Sequence, residues 1–94
     1  MKKVTNSDTL PENCVVKFGA TWCAPCRAVK PVLEMVESET GVTVFDVDID
    51  ENEMLAQQFN VRSVPTVFVV KNSKPVKMVV GAKDKNTYLQ MVKE

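Results

Sequence analysis

Histidine is absent from this chain of 94 residues, and cysteine occurs only three times. Zinc asks for four nitrogen or sulfur ligands, and Cys23 and Cys26 have only Cys14 to join them, so the Cys-x-x-Cys pair does not read as part of a metal site. Three thiols are also too few, and odd in number, for the disulfide scaffold of a small secreted domain. Neither sign of charge is in excess: twelve lysines and arginines balance twelve aspartates and glutamates. With no run of Lys and Arg there is no electrostatic footprint for nucleic acid, and none for an anionic membrane. Long apolar runs are missing as well. The longest, Val64 to Val70, has seven residues and includes Pro65 and Thr66, against the roughly twenty that cross a bilayer. Lys2 and Lys3 imitate the start of an export signal, but Thr5, Asn6, Ser7 and Asp8 stand where its apolar stretch belongs. Repeats, low-complexity segments and linkers are lacking. These absences leave the expectation of one soluble domain over 1–94, monomeric and cytoplasmic, whose single Cys-x-x-Cys pair does redox work in a reducing compartment.

What is present suits that expectation. A chain of this size buries roughly two-thirds of its unfolded surface, enough for one core without staples. Lys2 to Thr5 reads as a short edge strand, and Ser7 to Asn13, with Pro11, as a turn or one irregular helical turn. Cys14 to Ala20 is apolar except for Lys17, the pattern of a central strand buried on both faces. From Cys23 to Thr40, Ala28, Val29, Val32, Leu33 and Val36 recur at helical spacing, and Gly41 is a candidate C-cap. Pro31 removes one hydrogen bond inside this helix, which predicts a kink about one turn after the cysteines.

Val42 to Ile49 alternates so as to give a strand with one strongly apolar face, Thr43, Phe45, Val47 and Ile49. Asp50 and Glu53 have the spacing of a capping box, followed by a helix whose buried stripe would be Met54, Leu55 and Phe59. Thr66 to Val70 and Val76 to Val80 read as strands of an antiparallel hairpin joined by Lys71 to Pro75. Asp84 to Lys93 closes the chain as a helix packing through Tyr88, Leu89 and Val92. Parallel crossovers come first and a hairpin last, so the fold class is α/β. The sheet is mixed, with helices on both faces.

The chemistry lies where the second strand meets the first long helix. Cys23 opens that helix, where free backbone N–H groups and the positive end of the macrodipole favour a thiolate, which makes it the nucleophile. Cys26 is one turn later on the same face, within reach as the resolving thiol, and Pro25 stiffens the dipeptide between them. The reaction implied is thiol–disulfide exchange, which needs no cofactor. Cys14 begins the strand that leads to Cys23, on the order of 20 Å away, too far to bond with it. It reads as a small buried hydrophobe or else as a reactive or regulatory thiol.

Phe18-Gly19-Ala20-Thr21-Trp22-Cys23-Ala24-Pro25-Cys26-Arg27, then Pro31, Asp48-Ile49-Asp50, Val61-Arg62-Ser63-Val64-Pro65-Thr66 and Val80-Gly81-Ala82, resemble the thioredoxin family in order and spacing. The resemblance runs from Val15 nearly to the end. It implies the thioredoxin fold, three layers α/β/α around a mixed sheet of four to five strands, here with a shortened amino-terminal β-α start. It also implies a protein-disulfide reductase that acts on disulfide-containing proteins and is recharged by a thioredoxin reductase or an equivalent electron donor. Carried over, Pro65 becomes a cis-proline beside Cys23, and Val64 offers its backbone to an extended substrate. Trp22, Ala24, Pro25, Val64, Gly81 and Ala82 would frame an apolar docking patch. Trp22 could instead pack in the core, and Gly81 could merely end a strand.

The departures carry information of their own. Ala24 replaces the family's usual glycine and restricts the turn. Ser73 occupies a hairpin position where the family generally has glycine, which predicts a different or strained turn. Lys17 stands where thioredoxins usually bury an aspartate beneath the resolving cysteine, and Asp46 stands where its partner lysine belongs, so the pair is charge-swapped. Either Lys17 snorkels to solvent beside an exposed Asp46, or the two are buried together and a desolvated Lys17, or Asp46, accepts the proton of Cys26. Two other functions remain open at this stage. Ser63-Val64-Pro65-Thr66 also resembles the glutathione-binding segment of glutaredoxins, and the same fold serves as a binding or accessory module with incidental cysteines.

Overall fold

The computed structural model describes residues 1–4 and 10–94. Five strands and three helices follow in the order β1 (Lys2–Lys3), β2 (Cys14–Gly19), α1 (Ala24–Thr40), β3 (Val44–Asp48), α2 (Glu53–Gln58), β4 (Thr66–Lys71), β5 (Lys74–Val80) and α3 (Lys85–Lys93). The strands form one sheet in the order β1-β3-β2-β4-β5. β1, β3 and β2 run parallel, while β4 is antiparallel to β2 and β5 to β4. This is the mixed, three-layered α/β arrangement expected above. The expected end of β1 at Thr5, and Ser7 to Thr9 of the expected turn, lie outside the described residues.

Strand alternation sends successive side chains of β2 to opposite faces, and the two cores follow from it. Val15 joins Val29, Leu33, Val36, Val44, Val67, Val69, Tyr88, Leu89 and Met91 under α1 and α3. Val16 and Phe18 join Val4, Cys14, Val47, Phe68 and Val70 on the face that α2 covers. There Phe18, Phe59 and Phe68 pack with ring centroids 5.1–5.6 Å apart, within the favoured range for aromatic pairs. Every residue of β2 is buried, as its near-continuous apolar run predicts for a central strand.

α1 runs unbroken through Pro31 to Thr40 and ends at Gly41, whose φ of +77° and N–H bond to the Glu37 carbonyl make it the expected C-cap. Its buried stripe is Cys26, Val29, Leu33 and Val36, whereas Ala28 is exposed. β3 departs from the single apolar face expected of it, because Val44 and Val47 are buried in opposite cores. At α2 the N-cap is Asn52 rather than Asp50, and Asn52 makes no side-chain cap bond. Its amide is buried and donates to the carbonyls of Asp48 and Val4, tying β3 to the amino end. Leu55 and Phe59 face the core, but Met54 is 84% exposed.

The β4–β5 turn is tighter than the five residues expected. Pairing continues to Lys71 and Lys74, so only Asn72 and Ser73 turn the chain, with φ of +54° and +65°. Both central residues at positive φ is the geometry whose twist suits two-residue hairpins. Ser73 therefore sits in a backbone region that glycine occupies freely and serine does not. An irregularity between Val69 and Val70 absorbs Val76 on the edge strand, between Lys77 opposite Val69 and Pro75 opposite Val70. At the far end, Asp84 caps α3 by accepting from the Thr87 N–H at 2.9 Å.

Candidate active site

Two strand ends build the site. β2 finishes at Gly19, and the chain turns through Ala20, Thr21 and Trp22 before Cys23 caps α1. β4 begins at Thr66, just after Pro65, and because β4 is antiparallel to β2 its start lies beside the end of β2, with Phe18 opposite Thr66. The Val64–Pro65 peptide bond is cis. Cys23 Sγ lies 3.8 Å from the Val64 carbonyl oxygen. Residues distant in sequence are thus brought together by register.

Cys23 and Cys26 form a disulfide, with their Cα atoms 5.3 Å apart. Cys23 has extended backbone, and its sulfur accepts the Cys26 N–H at 3.2 Å. That N–H is one of the unpartnered donors at a helix start, and Pro25 in the same turn has none to offer. The donor and the aligned peptide dipoles of α1 both favour negative charge on Cys23 once the disulfide opens. Both cysteines are buried, Cys26 at 1% and Cys23 at 5% exposure, and Cys23 lies between the exposed residues Trp22 and Ala24.

Trp22 is 66% exposed, which excludes core packing for its ring. Its indole N–H donates to Asp50 Oδ2 at 2.9 Å, so the residue expected to cap α2 instead holds the tryptophan. Asp50 is itself set by its own N–H, which donates to Asp48 Oδ1 at 2.8 Å. Ala24, Pro25 and Ala82 are exposed, Val64 and Gly81 half-buried and Pro65 buried. Gly81 has φ of +89°, a conformation that favours glycine, and its N–H donates to the Pro65 carbonyl at 2.8 Å. The Gly81–Lys83 loop is held from below by Tyr88. The phenol hydroxyl donates to the Gly81 carbonyl at 3.2 Å and accepts the Lys83 N–H at 3.1 Å. The roles of Asp50 and Tyr88 were not foreseen. Asp48-Ile49-Asp50 was part of the family pattern, but nothing local ties Asp50 to a ring 28 residues away.

Lys17 is buried, at 5% exposure, and Nζ is 3.2 Å from Asp46 Oδ1, its register partner on β3. Of the two readings open in the sequence, burial as a pair is the one found, with the Asp46 side chain 28% exposed. Both residues line a cleft of about 290 Å³ together with Cys26. Cys14 lies at the other end of β2, buried, its Sγ–H directed to the Pro11 carbonyl at 3.5 Å, and burial pushes its thiol above the ordinary range.

Comparisons with known proteins place this geometry. The family described as Thioredoxin matches residues 2–94. Among curated proteins the chain is similar to a thioredoxin of Mycolicibacterium smegmatis, 46% identical over 81% of this chain and 71% of the relative. It is also similar to a thioredoxin of Mycobacterium bovis, 44% identical over 94% of this chain and 83% of the relative. Among solved structures, a mutant thioredoxin from Halobacterium salinarum superposes with a TM-score of 0.82 at 33% identity, covering 87% of this chain and 73% of that one.

Proposed function

The chain belongs to the thioredoxin family, and on that premise we propose how its residues divide the work of reducing protein disulfides. It is a thiol–disulfide oxidoreductase. In the reduced protein the Cys23 thiolate attacks one sulfur of a substrate disulfide. A Cys23–substrate disulfide forms, and the second substrate sulfur leaves as a thiolate. Cys26 then loses its proton and attacks Cys23, the mixed disulfide breaks, and the substrate departs with both sulfurs reduced while Cys23–Cys26 is oxidised. Two electrons pass from the dithiol to the substrate. Lys17 and Asp46 line the cleft into which Cys26 loses its proton.

The observation that carries this division is the Cys26 N–H aimed at Cys23 Sγ at the start of α1. Only Cys23 receives that stabilisation, and its neighbours Trp22 and Ala24 are the exposed ones beside which a protein substrate would dock. Substrate docks as an extended segment over Trp22, Ala24, Pro25, Val64, Pro65, Gly81 and Ala82, with the Val64 backbone as its hydrogen-bonding ledge. A thioredoxin reductase or an equivalent donor restores the dithiol. A relative in Mycobacterium leprae, named bifunctional thioredoxin reductase/thioredoxin, joins the two names in one protein, of which this chain matches 19%. The protein works as one domain, as a monomer in the cytoplasm. No helix among the described residues is long and apolar enough to cross a membrane.

Insulin-disulfide reduction by the wild type, Cys23→Ser and Cys26→Ser tests the assignment. Both variants lose turnover, and Cys26→Ser alone accumulates a mixed disulfide that a thiol releases. An adduct on Cys26 in the Cys23→Ser variant at a comparable rate would reverse the roles.

A further inference from the structure

Lys17 is the only buried charged side chain among the described residues. β2 sends Lys17 to the same face as Val15, under α1. Gly19, two residues on, has no side chain, and Lys17 and Cys26 close on the place where one would stand. A Cβ built there would lie 3.1 Å from both Cε and Nζ of Lys17 and 3.2 Å from Cβ of Cys26. The ammonium and the resolving cysteine therefore meet over one missing methyl group. Nζ is also ion-paired with Asp46 Oδ1 at 3.2 Å, and Asp46 is the more exposed of the two and lines the same cleft.

A lysine ammonium, paired with a carboxylate as here, has no lone pair with which to take a proton. What it supplies is a fixed positive charge. We propose that Lys17 is the positioning charge of the resolving step: placed over Gly19 and paired with Asp46, it stabilises the Cys26 thiolate while the proton leaves to water through the cleft. This deepens the functional reading above and rests on it. The balance is simple. Cys26–SH gives a thiolate and a proton to water, the thiolate bonds to Cys23, and the substrate sulfur leaves with the electron pair of the broken bond.

The other charges that face the cleft are Lys3 from β1, Arg27 and Lys30 from α1, and Asp46 and Asp48 from β3. Arg27 is turned to the Thr21 carbonyl at 2.6 Å, and Lys3 reaches toward Glu51. Lys3, Arg27 and Lys30 are exposed, so water screens them. Asp46 opposes Lys17, so the expected effect stands at the low end of the one to three pH units a close opposite charge produces.

The test reacts the reduced protein with 5,5′-dithiobis(2-nitrobenzoate), which releases one coloured thiolate when Cys23 attacks and a second when Cys26 resolves the adduct. Only the second phase is independent of reagent concentration. Followed from pH 6 to 10, the second phase of Lys17→Met shifts upward by about one unit and slows about tenfold at pH 7, while Lys17→Arg keeps the wild-type profile. Asp46→Asn, a change at the more exposed partner, leaves the ammonium unopposed and moves the profile to lower pH. It decides the matter even if Lys17→Met does not fold. An unshifted Lys17→Met profile, or an Asp46→Asn second phase slowed in the manner of a lost base, overturns the proposal. A wild type with no concentration-independent phase overturns the dithiol reading beneath it.

Discussion

Replacing Tyr88 by phenylalanine removes one oxygen from the fully buried side chain that supports the rim of the active site. The ring keeps its place in the core beneath α3, so the loss is confined to the two bonds of the hydroxyl, to the Gly81 carbonyl and from the Lys83 N–H. A net hydrogen bond is worth about 1 kcal/mol, and a part-buried carbonyl left without its donor adds desolvation cost, so the variant loses about 2 kcal/mol. For a domain of this size that lowers Tm by roughly 8–16 °C, measurable by calorimetry and by urea unfolding. The functional consequence is separate, because Gly81 and Ala82 belong to the proposed docking rim. KM for a protein substrate rises while kcat is retained, the pattern of lost uniform binding.

The same hydroxyl has a pH signature. Burial pushes the Tyr88 phenol above its ordinary value of 10.0, against a smaller opposing pull from the Lys83 N–H. The stability it contributes is complete below pH 10 and is lost as pH rises through the raised folded value. The deficit of Tyr88→Phe therefore narrows above pH 10. A loss below about 0.5 kcal/mol at pH 7 would refute the reasoning, since it would mean that water replaces both bonds at no net cost.

Two further outcomes follow from local structure. Ser73→Gly stabilises by about 0.5 kcal/mol in urea unfolding, because relief of a left-handed serine, worth about 1–2 kcal/mol, exceeds the entropy glycine adds to the unfolded chain. The Ser73 N–H bond to the Glu12 carbonyl survives the change, and a destabilised variant would show that the turn is unstrained. Burial also raises the Cys14 thiol above 9.0, so its contribution to stability is intact below pH 9 and fades as pH rises through the folded value. Cys14→Ala flattens the alkaline decline of stability above pH 9. Equal slopes in the two proteins would remove Cys14 as its source.

The residues best read without a structure were those whose meaning is local. A buried strand running into a helix that starts at Cys23 needs only periodicity and the chemistry of a helix start, and both cysteines lie where that reasoning puts them. Reading failed where a distant partner overrode a short-range pattern. Asp50 has capping-box spacing, but its carboxylate is engaged by Trp22, and α2 starts at Asn52 instead. Met54 falls at a helical interval, yet α2 has six residues, and Leu55 and Phe59 decide which side faces the core. The polar run Lys71 to Pro75 has the look of a five-residue loop, yet Lys71, Lys74 and Pro75 pair across the hairpin, as an edge strand allows. Lys17 could not be resolved by any pattern. Whether a lysine reaches water depends on what lies around it, and here the amine is buried beside Asp46, against Gly19, where a larger residue would crowd it.

The antiparallel placing of β4 against β2 has a consequence for the life of the chain. Cys23 and the Val64 ledge are separated by 41 positions and meet only when the central strands have zipped together. A polypeptide still emerging from the ribosome, or one whose hairpin has torn away, carries the thiols of Cys23 and Cys26 but no surface that chooses among partners. Selectivity here is a property of the closed sheet, switched on late in folding and among the first things forfeited when the sheet opens.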